Sequence, residues 1–113
     1  MNMAAVRFRG GVRTRGGFNA TWPLASLTLS DDELLIRLFG FRLLRSTLGE
    51  VGSVERTWGG VLGQKSHGLL IRLKNGSRIV FWTWQLDSAV AALKAQDVVV
   101  LETESPPKVW WGA

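Results

Sequence analysis

Few residues in this 113-residue chain have the types and spacing for chemistry. There is one histidine, His67, and Ser66 precedes it. A serine and a histidine act as nucleophile and base only when their side chains meet. Neighbours on an extended chain point to opposite sides, and no third group is spaced to orient the imidazole. His67 therefore reads as a loop residue. Asp31-Asp32-Glu33 set three carboxylates in a row. A calcium loop needs oxygens spread over a longer stretch, so these acids read as a solvated turn. Glu50 and Glu55 would share a face only on a helix, and their stretch reads as strand. With no cysteine and one histidine, the ligands for structural zinc are missing and there is no thiolate. The expectation is a non-enzymatic protein with no cofactor, no metal and no small-molecule substrate.

Binding chemistry remains, and it is arginine and aromatic chemistry. Arg7, Arg9, Arg13 and Arg15 all precede the first acid, Asp31. The rest of the chain has ten basic and nine acidic side chains, so most of the net charge of +5 is expected in a basic arm over residues 1–17. Val6-Arg7-Phe8-Arg9 and Val12-Arg13-Thr14-Arg15 alternate around Gly10-Gly11. A hairpin that sorted their faces would set arginine against arginine, so an extended arm or an edge strand is expected. Two Arg-Gly-Gly triplets begin at Arg9 and Arg15, beside Phe8 and Phe18. Such triplets suit RNA, to which arginine offers charge and stacking. The same four arginines can meet an anionic membrane surface, at ~1 kcal/mol each and subject to screening by salt.

The elements that would position these residues are clearest late in the chain. Leu69-Leu70-Ile71-Arg72-Leu73 and Arg78-Ile79-Val80-Phe81-Trp82 are strand-like and flank Asn75-Gly76, a strong hairpin signal. A two-residue loop would pair Leu73 with Arg78 and mix charge into the apolar row. A three-residue loop, with Gly76 as a left-handed bulge, pairs Ile71 with Ile79 and Leu69 with Phe81. It puts Leu69, Ile71, Leu73, Ile79 and Phe81 on a core face, and Leu70, Arg72, Arg78, Val80 and Trp82 on the other. That second face has an apolar centre and an arginine rim, a composition suited to a protein interface. Either it is open, or the arm, residues 98–101 or the tail covers it. Trp110 and Trp111 make that tail a further interface candidate.

Upstream, residues 24–29, 33–39, 41–45 and 51–58 alternate as strands. Asp31-Asp32 and Gly40 mark reversals, and residues 59–67 form a glycine-rich loop. Leu86, Ala89, Val90 and Leu93 predict a helix over about 85–96, with Thr83 as an N-cap candidate beside Asp87 and Ser88. Val98-Val99-Val100-Leu101 can add a strand, and Pro106-Pro107 ends regular structure. The chain is 46% hydrophobic and 20% charged, which fits one globular domain. No run approaches the ~20 apolar residues of a membrane span. The expected division is an arm over 1–17, a domain over 18–102 and a Pro/Trp tail over 103–113. The expected location is cytoplasmic, at most peripheral to the inner face of the membrane.

This strand order, the glycine-rich loop before the late hairpin, and Ile79-Val80-Phe81-Trp82-Thr83 leading to Leu86 and Leu93 resemble the bacterial pleckstrin-homology-like domains, GRAM-like ones included. Phe18-Asn19-Ala20-Thr21-Trp22-Pro23-Leu24-Ala25 resembles the lead-in of actinobacterial members. The resemblance spans residues 18–101. It implies a mainly β fold (α+β by strict count): a partly open barrel of two orthogonal antiparallel sheets closed by one C-terminal helix. It also implies lipid binding around the turn between the first two strands. Here that turn is Ser30-Asp31-Asp32-Glu33, which repels phosphate. The leading functional expectation is thus protein contact or homo-oligomerisation through Leu70, Val80, Trp82, Arg72, Arg78, Trp110 and Trp111. Membrane association through the arm comes second, and RNA contact third.

Overall fold

Ile71 pairs with Ile79 and Leu69 with Phe81, the register that sorts apolar from charged side chains. Gly76 has a φ of +92°, and the Ser77 N–H donates to the Asn75 side chain at 2.8 Å. The glycine supplies the left-handed residue that the three-residue loop requires. These strands belong to a computed structural model that describes residues 5–14, 19–61 and 64–105, with backbone alone for 19–23, 59–61, 64–66 and 103–105.

Among the described residues, eight strands form one mixed sheet. They are β1 (Val6–Thr14), β2 (Asn19–Leu29), β3 (Glu33–Leu38), β4 (Phe41–Thr47), β5 (Val51–Val61), β6 (Gln64–Leu73), β7 (Arg78–Trp82) and β8 (Val100–Ser105). Helix α1 (Leu86–Ala95) lies between β7 and β8, and the order across the sheet is β4-β3-β2-β1-β7-β6-β5-β8. All neighbours are antiparallel except β5 and β8, which run parallel. The mainly β class with one helix is as expected. The sheet does not close into a barrel, because β4 and β8 remain its edges.

The largest departure from expectation is β1. Residues 6–14 are not a solvated arm or an edge but an interior strand. Residues 6–10 and 12–13 pair with β2, and residues 11–14 pair with β7 on the other side. The two meanders, β1–β4 and β5–β7, are joined by this one strand. Phe8 and Val12 supply the reason, since both are buried in the main core with Leu27, Ile36, Leu69 and Phe81. The alternation that resembled a basic arm is a strand with one face inward. Gly10-Gly11 sits where β1, still paired with β2, gains β7 as its second neighbour. A Cβ on Gly10 would overlap the carbonyl oxygen of Trp82, so the approach of β7 leaves no room for a side chain there.

Smaller differences follow the same logic. The expected loop over 59–67 is the far end of the β5–β6 hairpin, where Gly59 faces Ser66 and Val61 faces Gln64. Between Gly10 and Val12 the β2 partner jumps from Ala25 to Ala20, so Pro23 sits in an irregular stretch that does not need its missing N–H. Strand β8 reaches Ser105, so residues 103–105 of the expected tail are strand. Helix α1 buries Ala89, Val90 and Leu93 against the core. Burying Val90 and Leu93 contributes about 1.5–3 kcal/mol each. Thr83 is not the N-cap itself, which is Gln85. Its hydroxyl accepts from the Gln85 N–H at 3.1 Å and donates to the Arg9 carbonyl at 2.9 Å, tying the helix start to β1.

Gly10→Val is expected to lower the unfolding free energy by about 2 kcal/mol or more in urea denaturation. Gly49→Ala, whose new Cβ meets nothing within 4 Å, should change it by less than about 0.5 kcal/mol. Equal effects at the two sites would contradict the seam described for β1.

Candidate functional site

Directly opposed residues in a ladder share a face, so the register of β1–β4 lists what each face carries. Arg9 faces Ser26, Ser26 faces Arg37, and Arg37 faces Arg42. One row along, Arg7 faces Thr28, Thr28 faces Leu35, and Leu35 faces Arg45. Leu27, Leu34 and Ile36 point the other way into the core. The outer face of the first meander thus gathers Arg7, Arg9, Arg37, Arg42 and Arg45, all exposed. Glu33 is the one acid on it among the described residues, and it accepts from Arg45 Nε at 2.8 Å. Arg7, Arg9, Arg37 and Arg42 have no carboxylate partner among the described residues. The expectation that Arg7 and Arg9 lie in an arm apart from the folded body is corrected here. Arg7 and Arg9 belong to the body, and β1 sets them in line with the arginines of β3 and β4.

The other residues expected to contact an anionic surface are placed differently. Arg13 is half-buried and faces Val80 on β7, and burial lowers its pKa from the usual guanidinium value. It is not part of the exposed arginine face. Arg15 lies outside the described residues. The first Arg-Gly-Gly triplet, Arg9 to Gly11, is inside β1, so it is not a tail motif. The second triplet, from Arg15 to Gly17, lies outside the described residues.

The expected interface on the late sheet forms with the expected facing, and of the two alternatives, open or covered, its centre is covered. Leu70 faces Val80, and Trp82 packs against them. Leu70 is 0% exposed and Val80 1% exposed within the single chain, so the face has no open apolar centre. Arg72 and Arg78 are half-buried, and Arg72 bonds the buried Glu55 at 3.2 Å. Trp110 and Trp111 lie outside the described residues. A sheet face with apolar residues at its centre reads the same in sequence whether the chain covers it or not, and here it is covered.

A shallow cavity of about 480 Å³ opens at the start of α1, bordered by His67, Trp84, Asp87 and Ser88. Asp87 bonds Arg56 at 3.3 Å, and no hydrogen bond among the described residues links His67 to Ser88 or Asp87. Among the described residues, no three histidine or carboxylate side chains cluster as a metal site. No helix among them is long and apolar enough to cross a membrane. No known family model matches the chain, and no curated protein matches it.

The alternation of residues 33–39 turns Arg37 outward, but it does not reveal the row, because residues 6–14 read as an arm in sequence. The signal was the strand period of Val6 to Arg9. Glu33→Gln removes the one acid of the face and should raise the salt needed to elute the protein from a heparin column. Folding stability should change by less than about 1 kcal/mol, the scale of an exposed ion pair. An unchanged elution point would mean that the face does not meet polyanions.

Proposed function

We propose that this chain is a non-enzymatic interaction module of pleckstrin-homology-like type that docks on anionic membrane surfaces through the arginine face of β1–β4. The observation that carries the reading is the pair of rows Arg9–Ser26–Arg37–Arg42 and Arg7–Thr28–Leu35–Arg45. A flat, exposed field of arginines suits a plane of phosphates better than a single headgroup pocket. The acids Asp31 and Asp32 sit at one end of the β2–β3 hairpin, so the field has a direction. The cytoplasmic leaflet, with its negative surface potential, is the surface such a field would meet. A four-strand meander joined to a three-strand meander and followed by a helix supports the pleckstrin-homology-like relation.

Protein contact or homo-oligomerisation keeps one favourable observation. Strand β4 is an edge strand with Phe41 exposed, and open edges accept added strands. Arg42 and Arg45 on that edge oppose the approach of a second copy, which favours the anionic surface. RNA would also attract the arginine face, but a plane of arginines without exposed aromatic rings between them lacks the stacking platform that single strands use.

The test is co-sedimentation with vesicles of phosphatidylcholine and phosphatidylserine. Replacing Arg7, Arg9, Arg37 and Arg42 with glutamine should weaken binding on the order of a thousandfold, at ~1 kcal/mol per charge. Binding of the unsubstituted chain should fall with salt. Vesicle binding undiminished by the four substitutions, or binding to RNA in place of vesicles, would overturn the reading.

A further inference from the structure

Large apolar side chains left in water gather at one end of the first meander. Phe39 is 63% exposed and Phe41 78%, while Leu24 and Leu43 are 38% exposed each. The backbone brings the four together. The Phe39 N–H donates to the Leu24 carbonyl at 3.0 Å, Phe41 faces Leu38 across the turn, and Leu43 is the extra residue at the β3–β4 irregularity. One exposed leucine needs no explanation, but four such side chains at one tip, two of them phenylalanines, do.

The turn itself is strained. Phe39 has a φ of +52° and Gly40 of +83°, so both central residues of this two-residue hairpin are left-handed. Such a turn favours asparagine, aspartate or glycine first, because a larger side chain crowds the backbone in that conformation. Burial does not offset this cost, since the ring lies mostly in water. Fold stability therefore does not account for Phe39.

Charge identifies the occupant. Arg37 and Arg42 face each other just behind the tip, both exposed. The acids Asp31, Asp32 and Glu33 lie at the opposite end of the strands, roughly 17 Å away at ~3.3 Å per residue. Aromatic rings at a tip, cations just behind them and acids far off match the boundary of an anionic bilayer, with rings at the acyl edge and guanidinium groups at the phosphates. A second copy fits less well, since its own tip would bring two more arginines.

We infer that the β3–β4 tip is a hydrophobic anchor that inserts Phe39 and Phe41 into an anionic bilayer. The inference rests on the membrane reading above and adds to it a component that salt does not screen.

The full chain and the double variant Phe39→Asn with Phe41→Ser are compared on phosphatidylcholine–phosphatidylserine vesicles at low and high salt, and on monolayers of the same lipids. The unsubstituted chain should keep part of its binding at high salt and raise the surface pressure of the monolayer. The variant should lose both, and its low-salt binding should fall about tenfold or more for each ring removed. Its melting temperature should hold or rise, because asparagine accepts the left-handed position. A variant that binds and raises the pressure like the unsubstituted chain would overturn the anchor while leaving the arginine face standing. Failure of both proteins to bind any vesicle would overturn the anchor and the membrane reading together. An unsubstituted dimer that becomes monomeric in the variant, with vesicle binding unchanged, would assign the tip to a second copy and overturn the anchor.

Discussion

The closeness of β1 to β7 is the constraint on which the rest of this structure depends. At Gly10 the backbone of β1 lies so near the Trp82 carbonyl that only a hydrogen fits in place of a side chain. Gly68 on β6 meets the same strand from the other side, where an added Cβ would lie 2.6 Å from the Phe81 carbonyl oxygen. Two glycines thus allow β7 to sit between β1 and β6. Thr83 completes the junction by bonding the Arg9 carbonyl while holding the start of α1. Helix, seam and both meanders therefore meet within a few residues. Sequence-distant contacts of this kind can form only after long loops have closed, at an entropic cost that local hairpins do not bear.

The charge distribution follows from that seam. Phe8 and Val12 point into the core, and strand alternation then turns Arg7 and Arg9 outward. Pairing with β2 sets them in rows with arginines that come from β3 and β4. A basic segment that would be a diffuse, mobile charge becomes part of a fixed surface. Fixing the positions of like charges costs repulsion, which solvent and salt moderate at exposed sites. An anionic plane would turn that repulsion into attraction.

Local patterns were legible in the sequence, and long-range pairing was not. The register of the late hairpin, the left-handed Gly76, the turn at Asp31-Asp32 and the buried face of α1 each follow from residues close in the chain. So does the outward facing of Arg37. The partner of β1 does not, because nothing in Val6 to Thr14 points to Phe81 as the neighbour of Val12. That gap made a strand read as an arm and split the basic face into two unrelated parts. The covered state of Leu70 and Val80 was equally hidden, since pattern assigns a residue to a face but not a cover to the face. The exposed tip was overlooked for a different reason. Phe39 and Phe41 flank a glycine in an otherwise regular strand pattern, and that pattern does not show that both rings are left in water.

The claim that residues 6–14 are an interior strand is tested most directly by native-state hydrogen exchange of the full chain. The account predicts that the amides of Phe8 and Val12 exchange as slowly as those of Ile79 and Phe81, since they belong to the same cooperative core. Exchange of residues 6–14 at the rate of an unprotected peptide, with β7 still protected, would contradict it. That result would return Arg7 and Arg9 to a free arm and dissolve the arginine face.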